Sequence, residues 1–254
     1  MFTVYFDEAG GEDLGFTFVA GWGASAREWD SFEVDWKLFL VKFDVPYLHM
    51  KEYAHSKKCY STWESNESLR ARFTGMAAEI IAAHAKLAFI SFVSHRDFEE
   101  VDAIYTLRER FASPYALTGR AAIGLANGWA RNPNTQVLDI EYVFEDGGPD
   151  KTGLTAAVEA LPPFLPKPSF KPGRDDNPSR KWPNGRPGVV QLQAADYLAY
   201  EARKLAYNLI HRGERVARKS LQALTRVPLA KSSWDKPRLL RLCQGANFEL
   251  RTAT

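Results

Sequence analysis

The residues of this chain with the clearest chemical potential are acids placed at the ends of apolar runs. Asp7 follows the aromatic and β-branched run Phe2-Thr3-Val4-Tyr5-Phe6 and precedes Glu8-Ala9-Gly10-Gly11. Glu145 and Asp146 close a second run, Val137 to Phe144, and lead into Gly147-Gly148. Asp196 stands among Ala194, Ala195, Leu198 and Ala199, an apolar helical setting in which aspartate is rare without a partner. Carboxylate oxygens are the ligands of hard divalent cations such as Mg2+ and Mn2+. Two such ions roughly 4 Å apart can hold the attacking and leaving oxygens of an in-line phosphoryl displacement. Each acid also has a plainer reading. Asp7 and Glu145-Asp146 suit turns before glycine, and Asp196 suits a helix residue bonded to nearby backbone.

Two further groups belong to this chemistry. His49 and Glu52 are three apart, one helical turn, and either suits proton transfer or a phosphate contact. The plain alternative is a loop histidine with a solvated neighbour. Gln193 lies one turn before Asp196, placed to orient that carboxylate, to touch substrate, or simply to start a helix. His49, His55 and Cys59 have a superficial metal-ligand spacing. No second Cys/His pair accompanies them, which argues against zinc.

The run Phe2 to Phe6, leading through Asp7 into a tight turn at Gly10-Gly11, and the run Phe16 to Trp22, again ending at glycine, read as two strands of a predicted hairpin. Ser25 and Glu28 fit a capping box. Behind them Trp29, Phe32, Trp36, Phe39, Leu40 and Phe43 recur at helical spacing, predicting a helix over 25–43. Helices are expected over 69–85, 114–130, 152–160, 191–209 and near 236–243, and strands over 86–93 and 137–144. Residues 162–190 hold eight prolines and three glycines, the composition of a long surface loop, with one short strand near Ser169-Phe170. The order of elements favours an α/β fold, a mixed sheet covered by helices.

The chain's 254 residues suffice for one large domain, and its net charge of +2 conceals an asymmetry. Residues 1–166 carry 15 basic and 24 acidic side chains, whereas 167–241 carry 17 basic and 6 acidic. The basic stretch includes Lys167, Lys171, Arg174, Arg180, Lys181 and Arg186 in the loop, then Arg203, Lys204, Arg212, Arg215, Arg218 and Lys219. Such a cluster is the footprint of a polyanion ligand, and Trp182 is placed to stack on a base. A solvated helix face is the bland alternative. Two cysteines rule out a disulfide framework. The acidic start, without a basic, apolar leader, and the absence of a long apolar run predict a cytoplasmic chain with no membrane partner.

At its motifs the chain resembles a widespread bacterial family of unknown function. That family carries an Asp-Glu-x-Gly motif near the N-terminus and a Gln-x-x-Asp motif near the C-terminus, and its suspected fold is ribonuclease H-like. The first motif stands here as Asp7-Glu8-Ala9-Gly10 and the last as Gln193-Ala194-Ala195-Asp196. Leu48 to Tyr53, Tyr115 to Trp129 and Val143 to Gly147 also look like family members, so the resemblance covers about residues 2–205. It implies a ribonuclease H-like mixed sheet flanked by helices, with acids on the first strand, a later strand and the last helix binding metal. Asp7, Glu145 or Asp146, and Asp196 match those places. A fourth carboxylate is either Glu8 or Glu52. The basic loop 162–190 and a basic helical extension over 205–254 would then decorate one domain.

These readings predict a divalent-metal-dependent phosphodiesterase acting on RNA or DNA. Asp7, Glu145 and Asp196 would hold Mg2+ or Mn2+, with Glu8, Asp146 and His49 close by. Lys171, Arg174, Lys181, Trp182, Gln193 and Arg203 would contact substrate. The competing expectations are a catalytically silent module binding nucleic acid or protein, and a phosphohydrolase acting on a nucleotide or small phosphorylated molecule. No Walker-type or Rossmann phosphate loop is present.

Overall fold

The computed structural model describes residues 1–11, 13–135, 137, 139–160, 166–175, 185–213, 216–246 and 248–250. Its elements run β1 (Phe2–Gly11), β2 (Phe16–Ser25), α1 (Ala26–Lys42), α2 (Met50–Ala54), α3 (Glu67–His84), β3 (Leu87–Ser94), α4 (His95–Asp102), α5 (Leu107–Phe111) and α6 (Pro114–Ala130). They continue as β4 (Ile140–Glu145), α7 (Lys151–Glu159), β5 (Ser169–Lys171), β6 (Arg174–Asp175), β7 (Arg186–Pro187), α8 (Val190–Arg212), α9 (Lys219–Leu224), β8 (Leu229–Trp234) and α10 (Lys236–Gly245). Six strands form one mixed sheet in the order β5-β4-β1-β2-β3-β8. β1, β2 and β3 are antiparallel neighbours, whereas β4 runs parallel to β1, β5 to β4 and β8 to β3.

Side chains alternate across a strand, and the two faces of the sheet bury different helices. Val4 and Phe6 of β1 with Tyr142 and Phe144 of β4 face a core shared with Phe98, Leu107, Ile123, Leu154 and Leu239 of α4, α5, α6, α7 and α10. The opposite face packs against α1, α3, α8 and α9 through Trp29, Phe32, Trp36, Phe73, Tyr197 and Leu221. Two tryptophans tie this second layer down. The indole N–H of Trp22 donates to the Ala194 carbonyl of α8, and that of Trp29 donates to the Thr3 carbonyl of β1, both at 2.9 Å. The Ser25–Glu28 capping box starts α1 as expected: Ser25 Oγ accepts from the Glu28 N–H and Glu28 accepts from the Ser25 N–H.

Gly21 on β2 shows how closely the central strands approach. A Cβ there would lie 2.1 Å from the Tyr5 carbonyl oxygen of β1. Gly21→Ala is therefore expected to destabilise by about 1–3 kcal/mol, as overpacking in a close-packed interior does; a thermal melt unchanged from wild type would contradict this.

The C-terminal part is less helical than expected. β8 lies within the expected helical extension and adds a sixth strand to the sheet. Ser232 on β8 donates to Ser91 on β3 at 3.0 Å, and both are buried. Two serines satisfying each other let a polar sequence, Leu-Ala-Lys-Ser-Ser-Trp, join a sheet without an apolar alternation to announce it. Among the described residues no helix is long and apolar enough to cross a membrane.

Candidate active site

The period of two decides which acids meet. Tyr5 and Asp7 share the α8 face of β1, and Val143 and Glu145 share the same face of β4, because β1 and β4 are parallel with Phe6 opposite Phe144. Asp7, one residue beyond the paired stretch of β1, thus stands beside Glu145, the last residue of the adjacent parallel β4. Asp196 reaches the same place from α8. All three line one cleft of about 740 Å³, together with Glu8, His49, His55, Arg174 and Arg203.

Each carboxylate is anchored. Asp7 Oδ1 accepts from the Glu8 backbone N–H at 2.7 Å. Asp196 Oδ2 accepts from the Met50 N–H, the first residue of α2, at 2.6 Å. Glu145 Oε1 lies 3.3 Å from Arg174 Nη1. The acids also repel one another. Burial, then the charges of Glu145 and Asp196, push the Asp7 carboxyl well above the usual range, against a smaller opposing effect of the Glu8 N–H. Burial pushes Asp196 up to about 7, with Glu145 adding to it and the Met50 N–H and Arg174 opposing. Glu8 is raised by burial, with Arg203 opposing.

Asp146 points elsewhere: it is 41% exposed and ion-paired with Lys151. Of the two acids at this strand end, Glu145 faces the cleft. Glu52, offered with Glu8 as the fourth acid, holds the 47–58 segment together. Its Oε2 accepts from Tyr47 Oη at 3.0 Å, and its Oε1 lies 2.9 Å from Lys58 Nζ and 3.1 Å from His49 Nδ1. Burial alone would raise the Glu52 carboxyl, but hydrogen bonds from Lys58, His49 and Tyr47 outweigh it and leave it below its usual value. A depressed carboxyl stabilises the fold above the unfolded value near 4.5, and that contribution disappears as pH falls through the folded value. Glu52→Gln is expected to cost about 1–2 kcal/mol at neutral pH, as loss of charged hydrogen bonds does. The difference from wild type should close in acid; a gap that persists there would refute the assignment.

Gln193 does not reach the cleft. It is 2% exposed, and its Oε1 accepts from Trp36 Nε1 and from the Leu48 N–H, both at 2.9 Å. Its Nε2 donates to the Gly173 carbonyl at 2.9 Å. The expected substrate contact is corrected to a buried tie joining α1, the segment before α2 and the loop before β6. Gly173 is wedged beside the site, where a Cβ would come within 3.2 Å of Glu145 Oε1. Lys171 is exposed on β5 and lies outside the cleft lining. Arg180, Lys181, Trp182 and Arg215 fall outside the described residues. Arg174 and Arg203 do line the cleft, Arg203 with Nη2 2.6 Å from Asp13 Oδ2.

The sequence reading missed Tyr200, Tyr207 and His55 as cleft residues. The signal was present for the first two. Positions 196, 200, 203, 204 and 207 fall on one helical stripe, so the basic residues here form a face and not merely a run along the sequence.

Among the described residues no three His, Cys, Asp or Glu side chains are already grouped as a metal-holding set. The acids line a common cleft, while neighbouring N–H groups and Arg174 engage their oxygens. The donor chemistry nevertheless fits a hard cation: carboxylates from two strands and a helix, with like charges raising one another's proton affinity. No family model matches the chain, and neither does any curated protein or solved structure.

Proposed function

We propose that this chain is a divalent-metal-dependent phosphodiesterase acting on nucleic acid, built on a ribonuclease H-like fold. The observation that carries the proposal is the convergence on one cleft of Asp7 from the first strand, Glu145 from a later strand and Asp196 from a late helix. The sequence resemblance expects metal-binding acids on the first strand, a later strand and the last helix; α8 fills the third place, with α9 and α10 following it. The strand arrangement, an antiparallel β1-β2-β3 with β4 and β5 added in parallel, supports the fold assignment.

In this reading Asp7, Glu145 and Asp196 hold Mg2+ or Mn2+. A bound cation of this kind supplies an activated water and neutralises charge on the phosphoryl oxygens. The chain's own groups do the rest. The Met50 N–H fixes the Asp196 carboxylate, and the Glu8 N–H fixes that of Asp7. Arg174 and Arg203 present guanidinium groups to a phosphate. His49, with Nδ1 turned to Glu52, stands at the cleft as a proton carrier. The test is cleavage of labelled RNA, DNA and hybrid strands with Mg2+ or Mn2+, beside the Asp7→Asn and Asp196→Asn variants. Cleavage that survives both substitutions unchanged would end the proposal.

A second reading, a silent binding module of the same fold, draws on the lack of a ready-made metal-holding set among the described residues. Calorimetric titration separates the two. Carboxylate-dependent heat at millimolar Mg2+ favours the enzyme, and none favours the module.

A further inference from the structure

Helix α8 carries more than Asp196 into the cleft. Tyr200, Arg203, Lys204 and Tyr207 line it as well, at offsets of four, seven, eight and eleven from Asp196, one continuous helical face. By helical rise this face extends about 16 Å from the carboxylates to Tyr207. It does not behave as a merely solvated charge run. Tyr200, Arg203, Lys204 and Tyr207 are all partly buried. Lys204 sits 5.0 Å over the Tyr207 ring, which also neighbours the His211 ring at 4.6 Å and packs on the small cluster of Leu14, Phe18 and Ala202. The cations crowd one another: burial, then Arg212, Arg218 and Arg203, depress the Lys204 ammonium, with Glu201 opposing weakly. Crowded cations on an ordered face favour an anionic ligand that relieves their repulsion.

Aromatic rings interleaved with cations along a groove match an unpaired strand. An unpaired strand offers free base faces to the partly exposed rings and phosphates to the cations. A duplex hides its base faces and offers only phosphates and groove edges. The acids and the α8 face line one continuous cleft, so a ligand on the face is led to the carboxylates.

We infer that α8 is a track for single-stranded nucleic acid, with bases stacked on Tyr200 and Tyr207 and phosphates on Arg203 and Lys204, leading the strand to the carboxylates. The inference rests on the phosphodiesterase reading for its direction, but its test does not require turnover. Anisotropy of a labelled single strand of about twelve nucleotides, within the usual site size, is compared with that of its duplex on the Asp7→Asn chain without divalent metal. The single strand should bind at least about tenfold more tightly than the duplex. Tyr207→Ala should weaken it about fivefold or more, Tyr207→Phe should restore it, and Lys204→Gln should flatten the salt dependence. Duplex binding equal to or tighter than single-strand binding overturns the track, as does a Tyr207→Ala chain that remains folded and binds undiminished. Single-strand binding with the stacking signature but no metal-dependent cleavage by wild type would instead sink the enzyme reading and leave the track standing. Cleavage confined to duplexes would do the reverse.

Discussion

Asp7→Asn is expected to abolish metal-dependent cleavage and, in the same protein, to raise the melting temperature measured without metal. The two effects share one cause. Asp7 is a carboxylate held against Glu145 and Asp196 with limited access to water, so its charge is costly in the folded state. Asparagine keeps the shape and an acceptor for the Glu8 N–H but removes that cost. The activity loss should be about a hundredfold or more. Metal-borne charge stabilisation is worth several kcal/mol, and each 1.4 kcal/mol is about tenfold in rate. The stability gain should be about 1 kcal/mol, roughly 2–4 °C in a chain of this size. Asp196→Asn should behave alike, with a defined pH window. Its carboxyl ionises near 3.8 unfolded and about 7 folded. The destabilisation of wild type therefore grows as pH rises between those values, is complete above about 7, and vanishes below 3.8. Melting curves of both chains across that range, with chelator present, should diverge upward in pH. Adding Mg2+ should close the gap by stabilising only the wild type. An Asn variant that melts below wild type at neutral pH would contradict the electrostatic account.

Gln193→Ala should be the most damaging single substitution at a residue that never meets substrate. It leaves the Trp36 indole N–H and the Leu48 N–H without their acceptor, and it takes one of two donors from the Gly173 carbonyl, to which the Gly188 N–H still donates at 3.1 Å. Each orphaned group costs about 1–3 kcal/mol. With partial relaxation the total should be about 3–5 kcal/mol, among the largest seen for one residue. Activity should fall too, because Leu48 and Gly173 lie beside Met50 and Arg174, which hold Asp196 and Glu145. The measurements are chemical denaturation and the cation concentration needed for half-maximal rate. Gln193→Glu, which keeps the acceptor but not the amide donor, should fall between wild type and alanine. If alanine melted like wild type, the buried tie would be mere contact.

The main elements were legible because their patterns are physical. Aromatic spacing and the Ser25–Glu28 box located α1 to within a residue or two, and apolar runs located β3 and most of β4. The short strand in the Pro-rich loop appears as β5, Ser169–Lys171. β8 was missed because buried serines, not alternating apolar residues, join it to β3. Helix α4 was missed although Ser94 caps it by accepting from the Asp97 N–H, since its few turns bury only Phe98, Val101 and Asp102. At the site, strand parity would have separated Glu145 from Asp146 once β4 was known to run parallel to β1. That pairing is long-range and leaves no local trace. The role of Gln193 was illegible for the same reason, as its partners lie on α1 and on two loops distant in sequence.

The position of β1 carries a consequence for how the protein comes into being on the ribosome. β1 is made first yet sits between β2 and β4, so the sheet's middle stays open on one side until residues 140–145 have emerged. Asp7 then waits longer still, for the helix bearing Asp196. A nascent or prematurely terminated chain that ends before α8 carries at most two of the three acids. Under the proposed chemistry, translation itself withholds the competent cleft until nearly the whole fold is complete, a safeguard for any cell whose own RNA and DNA lie within reach of the emerging chain.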